Sequence, residues 1–166
     1  MTQLEQDLIN DEGLRLKVYK DTVGKSTIGV GRDINDNPFR PEEVIKLGTS
    51  NERNVSTVED LTNEIIANGI TKDEAIYLLD NDIALVTKGL IHNLPVDTQP
   101  DDVKRVLINM AFNMGVGGLL KFHNTLNFIK NNDYVDAANG MLASIAKEVG
   151  ARAIRLSDIL KNIKNA

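Results

Sequence analysis

Residues 11–31 read Asp-Glu-Gly-Leu-Arg-Leu-Lys-Val-Tyr-Lys-Asp-Thr-Val-Gly-Lys-Ser-Thr-Ile-Gly-Val-Gly, and the architecture of the chain is decided there. Upstream, Leu4, Leu8 and Ile9 recur at helical spacing, and Gly13 stops that helix just after Asp11 and Glu12. Downstream the period changes to two, with Leu14, Leu16 and Val18 apolar and Arg15, Lys17 and Lys20 polar. Asp21 to Gly24 has the composition of a turn and Thr27 to Gly31 that of a return strand, so a β-hairpin is predicted directly after a helix.

This layout puts one carboxyl, Glu12, at a helix end, partly shielded so that it can hold a proton. A second, Asp21, lies on a wet turn where it stays ionised. Two carboxyls in unlike environments are what cleavage of a glycosidic bond requires, one as general acid and one as charge stabiliser or water-orienting base. Thr27, on the return strand, supplies a short hydroxyl able to hold a water between them. The competing reading is two solvated surface carboxylates, the ordinary state of such residues.

The order of these residues adds to the argument. Glu12, Asp21 and Thr27 within Glu-Gly-Leu-Arg-Leu-Lys-x-Tyr-x-Asp-Thr-x-Gly-x-x-Thr-Ile-Gly-x-Gly resemble the phage lysozyme (endolysin) family of the T-even type. The likeness resumes at Gly69 to Ala75, Asn109 to Gly115 and Gly150 to Arg155, and covers nearly the whole chain except about 36–68. It implies hydrolysis of the β-1,4 bond between N-acetylmuramic acid and N-acetylglucosamine in peptidoglycan. Carried over by position, Glu12 is the general acid, Asp21 the carboxylate that orients water and offsets positive charge, and Thr27 the water-holding hydroxyl. Phe112, Asn113 and Thr125 are expected to line the cleft. Arg152 is expected to pair with Glu12, and Asp11 with Arg152 or Arg155.

Composition sets the bounds. The chain has 166 residues, 42% hydrophobic and 26% charged, ordinary for a folded globular protein. Net charge is −5, which gives no basic stripe for nucleic acid. Zero Cys excludes a disulfide scaffold and a thiolate metal site. The two histidines, His92 and His123, have no suitably spaced carboxylates, and neither a metal nor another cofactor is expected. Asp33, Asn35 and Asn37 alternate like calcium ligands, but Pro38 stands where Gly is needed and Val44 where Glu is needed. The scarcity of aromatics, 4% with no Trp, counts slightly against a carbohydrate cleft. The start of the chain has no signal-peptide pattern, and no run reaches the length of a membrane span.

Along the chain, Pro41 to Leu47 reads as a short helix stopped by Gly48, followed by a polar loop to Val55. Ser56 or Thr57 can cap a helix from Val58 to Ala67. Thr71 and Glu74 form a capping box for a long helix whose apolar residues recur from Ala75 to Leu90 and which Pro95 ends. Further helices are predicted from Val103 to Met114, Leu119 to Lys130, Tyr134 to Ala146 and Ala151 to Ile163, the last facing inward with Ile154, Ile159 and Leu160. The Gly-rich stretch at 115–118 lacks the Lys-Ser/Thr of a phosphate loop and reads as a helix-to-helix turn.

The predicted fold is α+β and lysozyme-like, in a single domain over 1–166. A small hairpin-containing lobe, 13–70, carries a helical insertion at about 36–68. A connecting helix, 71–93, leads to an all-helical lobe, 94–166, to which the N-terminal helix is added. The resemblance also frays in places. Ser144 to Lys147 is one residue short and lacks the family's Trp, and Arg32 stands where many members have His. Arg32 is therefore expected to pair with Asp82 on the connecting helix, with the Asp82 carboxyl depressed by the guanidinium.

The reading implied is an endolysin, expected to be monomeric, with bacterial peptidoglycan as partner and neither nucleic acid nor stable membrane insertion. Without a signal of its own it would reach the periplasmic wall from the host cytoplasm after holin-dependent release, or as part of a particle. The alternative is a catalytically silent lysozyme-like module that binds the wall or builds a virion.

Overall fold

A computed structural model describes residues 1–164, the side chain of residue 148 excepted. The chain divides into two units, Met1–Asp82 and the residues from Ile83 onward. The fold is α+β, mostly helical with one small antiparallel sheet.

In the first unit, helix α1 spans Gln3–Glu12. Thr2 Oγ1 accepts from the Glu5 N–H (3.2 Å) and Glu5 Oε2 accepts from the Thr2 N–H (2.9 Å), a reciprocal cap. The helix ends where Gly13, at φ +81°, turns away and donates its N–H to the Ile9 carbonyl. Three strands follow, β1 (Arg15–Lys20), β2 (Ser26–Gly29) and β3 (Arg32–Asp33), hydrogen-bonded in that order. The predicted hairpin is β1–β2. The third strand is an addition, and it makes β2 the central one.

The period-two pattern of β1 is interrupted. Arg15 pairs with Gly29 and Tyr19 with Thr27, so three residues of β1 face one of β2 between those pairs. That bulge breaks the alternation of faces. Leu16 is accordingly 39% exposed, although the pattern predicts an apolar face.

Helix α2 covers Pro41–Gly48, with Gly48 inside the helix and Thr49 at its end. Gly48 is required there because a Cβ would lie 2.1 Å from the Val55 carbonyl oxygen. Helix α3 covers Val58–Asn68, and of the two candidate caps it is Thr57 that accepts from the Asp60 N–H (3.0 Å). Helix α4, Lys72–Ile91, starts with the predicted reciprocal cap between Thr71 and Glu74 (2.8 and 3.2 Å). The core of this unit gathers Ile28, Phe39, Leu47, Leu61, Ile65 and Leu78 among others.

The loop before α3 is more organised than a polar linker. Asn51, Glu52 and Asn54 all adopt left-handed backbone, at φ of 51°, 60° and 54°. The buried Glu74 carboxylate holds the loop in that shape, accepting from Ser50 Oγ, Asn51 Nδ2 (2.9 Å) and Arg53, while Arg53 also donates to the Leu47 and Gly69 carbonyls (3.1 Å each). Burial pushes the Glu74 carboxyl up, but Arg53, Ser50 and the Thr71 N–H outweigh it and lower it to about 2.

The second unit is helical. Helices α5 (Asp101–Met114), α6 (Val116–Leu119), α7 (His123–Lys130), α8 (Tyr134–Gly140), α9 (Ala146–Val149) and α10 (Ala151–Lys161) succeed one another. Buried Val103, Val106, Met110, Leu126, Ile145 and Leu156 belong to its core. Three expectations change here. The helix predicted from Leu119 begins only at His123, since Phe122 has a non-helical ψ of 63° and separates α6 from α7. The helix predicted from Tyr134 to Ala146 is interrupted by a π-helical turn at Met141–Ile145, which widens the ladder by a residue.

Finally, Ile154 points outward, at 50% exposed. The inward face of α10 is Ala153, Leu156, Ser157 and Leu160, each fully buried, in the i, i+3, i+4, i+7 spacing of one helix face. The small Ala153 and Ser157 belong to the helix that packs on α8, which itself buries Ala137 and Ala138. Of the expected stripe, Leu160 lies on this face, Ile159 is half-buried and Ile154 is the residue that faces out.

No helix among the described residues is long and apolar enough to cross a membrane.

Candidate active site

The three candidate catalytic residues hang on the same small sheet. Glu12 is the last residue of α1 and is half-buried. Its carboxylate lies against Gly31, in the turn between β2 and β3: a Cβ added at Gly31 would stand 3.1 Å from Glu12 Oε2. The helix stop at Gly13 and the chain reversal at Gly31 thus bring a helix end to the sheet.

Asp21 is half-buried in the turn between β1 and β2 and organises that turn. Its Oδ1 accepts from the N–H groups of Val23 (2.9 Å) and Lys25 (2.8 Å), and its own N–H donates to the Lys25 carbonyl (2.9 Å). Both N–H donors bind one oxygen of the carboxylate. Thr27 is buried on β2, where its Oγ1 donates to the same Lys25 carbonyl (3.3 Å). That shared acceptor ties Thr27 to Asp21. Asp21 and Thr27 are therefore brought together through one carbonyl, and Glu12 is seated on the turn at the far end of β2.

The remaining residues fall into two groups. On α5, Phe112 is half-buried and Asn113 exposed, both in the last turn. Thr125 is buried on α7 against the backbone of Gly140, where a Cβ would stand 2.8 Å from its hydroxyl. With Phe122, Asn124 and Ser144 it borders a recess of about 250 Å³. Arg152 is anchored within the second unit, donating through Nε to Asn109 Oδ1 (2.7 Å) and through an η nitrogen to the Asn109 carbonyl (3.0 Å). Asp11 and Arg155 are half-buried on α1 and α10.

Behind Gly31 lies a buried ion network that contains the expected Arg32–Asp82 pair and adds Glu43 and Arg40 to it. Arg32 is 1% exposed at its side chain and donates to both oxygens of Glu43 at 2.8 Å. Asp82 is the second partner, at 3.4 Å from the same guanidinium, and its shorter ion pair is with Arg40 (2.8 Å). Arg40 and Asn81 also donate to Glu43, and Asn37 donates to Asp82. Burial pushes Glu43 up, yet the hydrogen bonds from Arg32, the Arg40 N–H, Asn81 and the Arg40 side chain outweigh it and lower it to about 2. For Asp82 the balance runs the other way. Burial raises it more than Arg32, Asn37 and Arg40 lower it, so the expected depression is corrected to a rise. The physical reason is partner number: Glu43 takes the bidentate fork, and Asp82 takes what is left.

Sequence reading missed Glu43, which looked like an ordinary first-turn acid of α2, and gave Gly31 no role beyond its place in the motif. The signal available was Arg32 itself, which alternates with the apolar Val30 and Ile34 two positions to either side and has to find a carboxylate if it shares their buried face. Asp33 and Asn35 serve the turn: Asp33 Oδ1 accepts from the Asn35 N–H (2.8 Å), and Asn35 Oδ1 from the Ser26 N–H (2.7 Å). No cluster of potential metal ligands occurs among the described residues.

Comparison with known proteins matches a phage lysozyme family model to residues 10–147. The chain belongs to the phage lysozyme family. Similar proteins include the pre-baseplate central spike protein Gp5 of Enterobacteria phage T4, 34% identical over 160 residues, which are 92% of this chain and 26% of that protein. Probable T4-type lysozyme 1 of Dictyostelium discoideum is 32% identical over 145 residues, 85% of this chain and 82% of that protein. Probable T4-type lysozyme 2 of the same organism is 30% identical over 148 residues, 83% and 81%. This phage lysozyme family member therefore spans about a quarter of the spike protein it matches and about four fifths of the two lysozymes.

Proposed function

We propose that this chain is a peptidoglycan hydrolase that cleaves the β-1,4 bond between N-acetylmuramic acid and N-acetylglucosamine. Glu12 protonates the leaving oxygen, and Asp21 with Thr27 holds and orients the attacking water. The observation that carries the reading is the common support of the three: a carboxylate seated on the turn after β2, and a carboxylate and hydroxyl sharing the Lys25 carbonyl. Asp21 keeps one carboxylate oxygen clear of the two N–H donors, which supports its use as a water acceptor. Phe112, Asn113 and Thr125 contribute sugar contacts, with Asp11, Arg152 and Arg155 supporting. No cofactor enters the reaction.

Since the acid and the water lie on opposite faces of the sugar in this reading, the reaction inverts. Inverting sites hold their carboxyls about 6.5–9.5 Å apart to admit water, against about 5–5.5 Å for retaining ones. Digestion of a soluble peptidoglycan oligomer followed by NMR should show the α-anomer first; an initial β-anomer would overturn the assignment of Asp21 and Thr27.

The proposed setting is lysis of the bacterial wall from inside, after a holin opens the membrane. A second reading is a catalytically silent lysozyme-like module that binds the wall or builds a virion; the likeness to a central spike protein supports its virion part alone. Purified peptidoglycan separates the two, because only the hydrolase releases muropeptides from it.

A further inference from the structure

Gly31 occupies the turn between β2 and β3 with φ of +70°. A Cβ built on it would lie 3.1 Å from Glu12 Oε2, 3.2 Å from its Cβ and 3.3 Å from its Cγ. Carbon atoms in ordinary contact sit about 3.5–4.0 Å apart. Three atoms of one side chain, from its Cβ to its carboxylate oxygen, at shorter range mean that Glu12 lies along the Gly31 backbone, in the space an L side chain would fill. The next residue anchors this turn from behind. Arg32 is buried, donates to the carbonyls of Asn37 and Pro38 (3.2 Å each), and grips both oxygens of Glu43.

We propose that Gly31 is a positioning residue for the general acid: its missing side chain forms the seat of the Glu12 carboxyl, and the buried Arg32–Glu43 pair holds that seat still. The inference rests on the reading of Glu12 as the acid. A general acid acts only within hydrogen-bond reach of the leaving oxygen. Misplacement by about 1 Å costs on the order of 10²-fold in rate. An alanine at 31 forces Glu12 to yield by a few tenths of an ångström or to swing off the turn.

The end of β2, just before this turn, contains a control. Gly29, at φ +64°, is left-handed too, but a Cβ there meets Ile70 Cδ1 at 3.7 Å and Ala75 Cβ at 3.9 Å, ordinary contacts that do not include Glu12. Alanine at either position imposes backbone strain of the same kind. Only alanine at 31 displaces Glu12.

The test compares Gly31→Ala, Gly29→Ala and Glu12→Gln on a soluble peptidoglycan oligomer, reading kcat, KM, the pH–rate profile and the melting temperature. Both alanine variants should melt lower. Gly31→Ala should lose about 10- to 100-fold in kcat with KM little changed, and the limb of the pH profile that titrates with the acid should move. Gly29→Ala should keep its kcat. Should Gly31→Ala fold too poorly to assay, Gly31→Asn replaces it, because Asn enters the left-handed region readily yet still carries a Cβ. Equal kcat in the Gly29 and Gly31 variants, with Glu12→Gln inactive, would overturn the seat while leaving the acid in place. Near-native activity of Glu12→Gln would instead overturn the acid reading beneath it.

Discussion

Glu12→Gln is expected to lower peptidoglycan hydrolysis by roughly 10²–10⁴-fold, and more where the leaving group depends on the acid, while the protein stays folded. The amide keeps the shape and length of the side chain that lies along Gly31, but it has no proton to give. Fold is preserved because α1 is terminated by backbone geometry: Gly13 turns at φ +81° and caps through the Ile9 carbonyl. The check is the release of soluble muropeptides alongside a thermal melt. A folded variant with near-native activity would reject Glu12 as the acid.

The second large effect is on stability and is centred on Glu43. Glu43→Gln leaves Arg32, whose side chain is 1% exposed, facing a neutral amide in place of its bidentate partner. Removing one member of a buried pair typically costs about 3–5 kcal/mol where the remaining charge is left uncompensated, and the loss here is expected toward the lower end because Asp82 stays 3.4 Å from the Arg32 guanidinium. Asp82→Asn should cost less, since Asp82 is the weaker partner of Arg32 and its own carboxyl is raised by burial. Urea unfolding of both variants decides the order, and a larger loss for Asp82→Asn would show that the network is misjudged.

The pH dependence follows with a definite sign. Glu43 and Glu74 are both lowered from 4.5 to about 2 in the folded protein. Their stabilisation is fully present above the unfolded value and is lost as pH falls through the folded one. By linkage this amounts to about 3 kcal/mol for each carboxylate. Asp82 opposes the trend: its folded value is raised, so its protonation below that value returns some stability as acid is added. The arginines stay protonated throughout, so no matching loss is expected on the mildly alkaline side. Melts from pH 7 to pH 2 should therefore hold level down to about 4.5 and then drop, and the drop should shrink in Glu43→Gln.

What could be read from the sequence, and what could not, divides along physical lines. The hairpin, the stop at Gly13 and the long helix after Thr71 depend on local signals: a change of period, a left-handed glycine and a reciprocal cap. All three appear in the structure. Strand β3 is only Arg32–Asp33, too short to carry a period, and it forms because β2 offers it a free edge. On α10 the expected Leu160 does face inward, but Ala153 and Ser157, too small and too polar to mark a stripe in the sequence, are buried beside it while Ile154 faces out. Glu43 and Glu74 carried no local mark of burial. Each became a hub only when an arginine from elsewhere in the chain, Arg32 or Arg53, was folded onto it. The candidate catalytic residues were legible through their order along the chain, whereas the Gly31 seat under Glu12 needed coordinates.

The central claim is that Glu12, Asp21 and Thr27 direct a water onto the glycosidic carbon. Digestion of purified peptidoglycan in ¹⁸O-labelled water, followed by mass analysis of the products, tests it most directly. Hydrolysis predicts muropeptides ending in reducing N-acetylmuramic acid with one heavy oxygen at that end. Unlabelled anhydro-muramyl products, or no release of muropeptides at all, would contradict it.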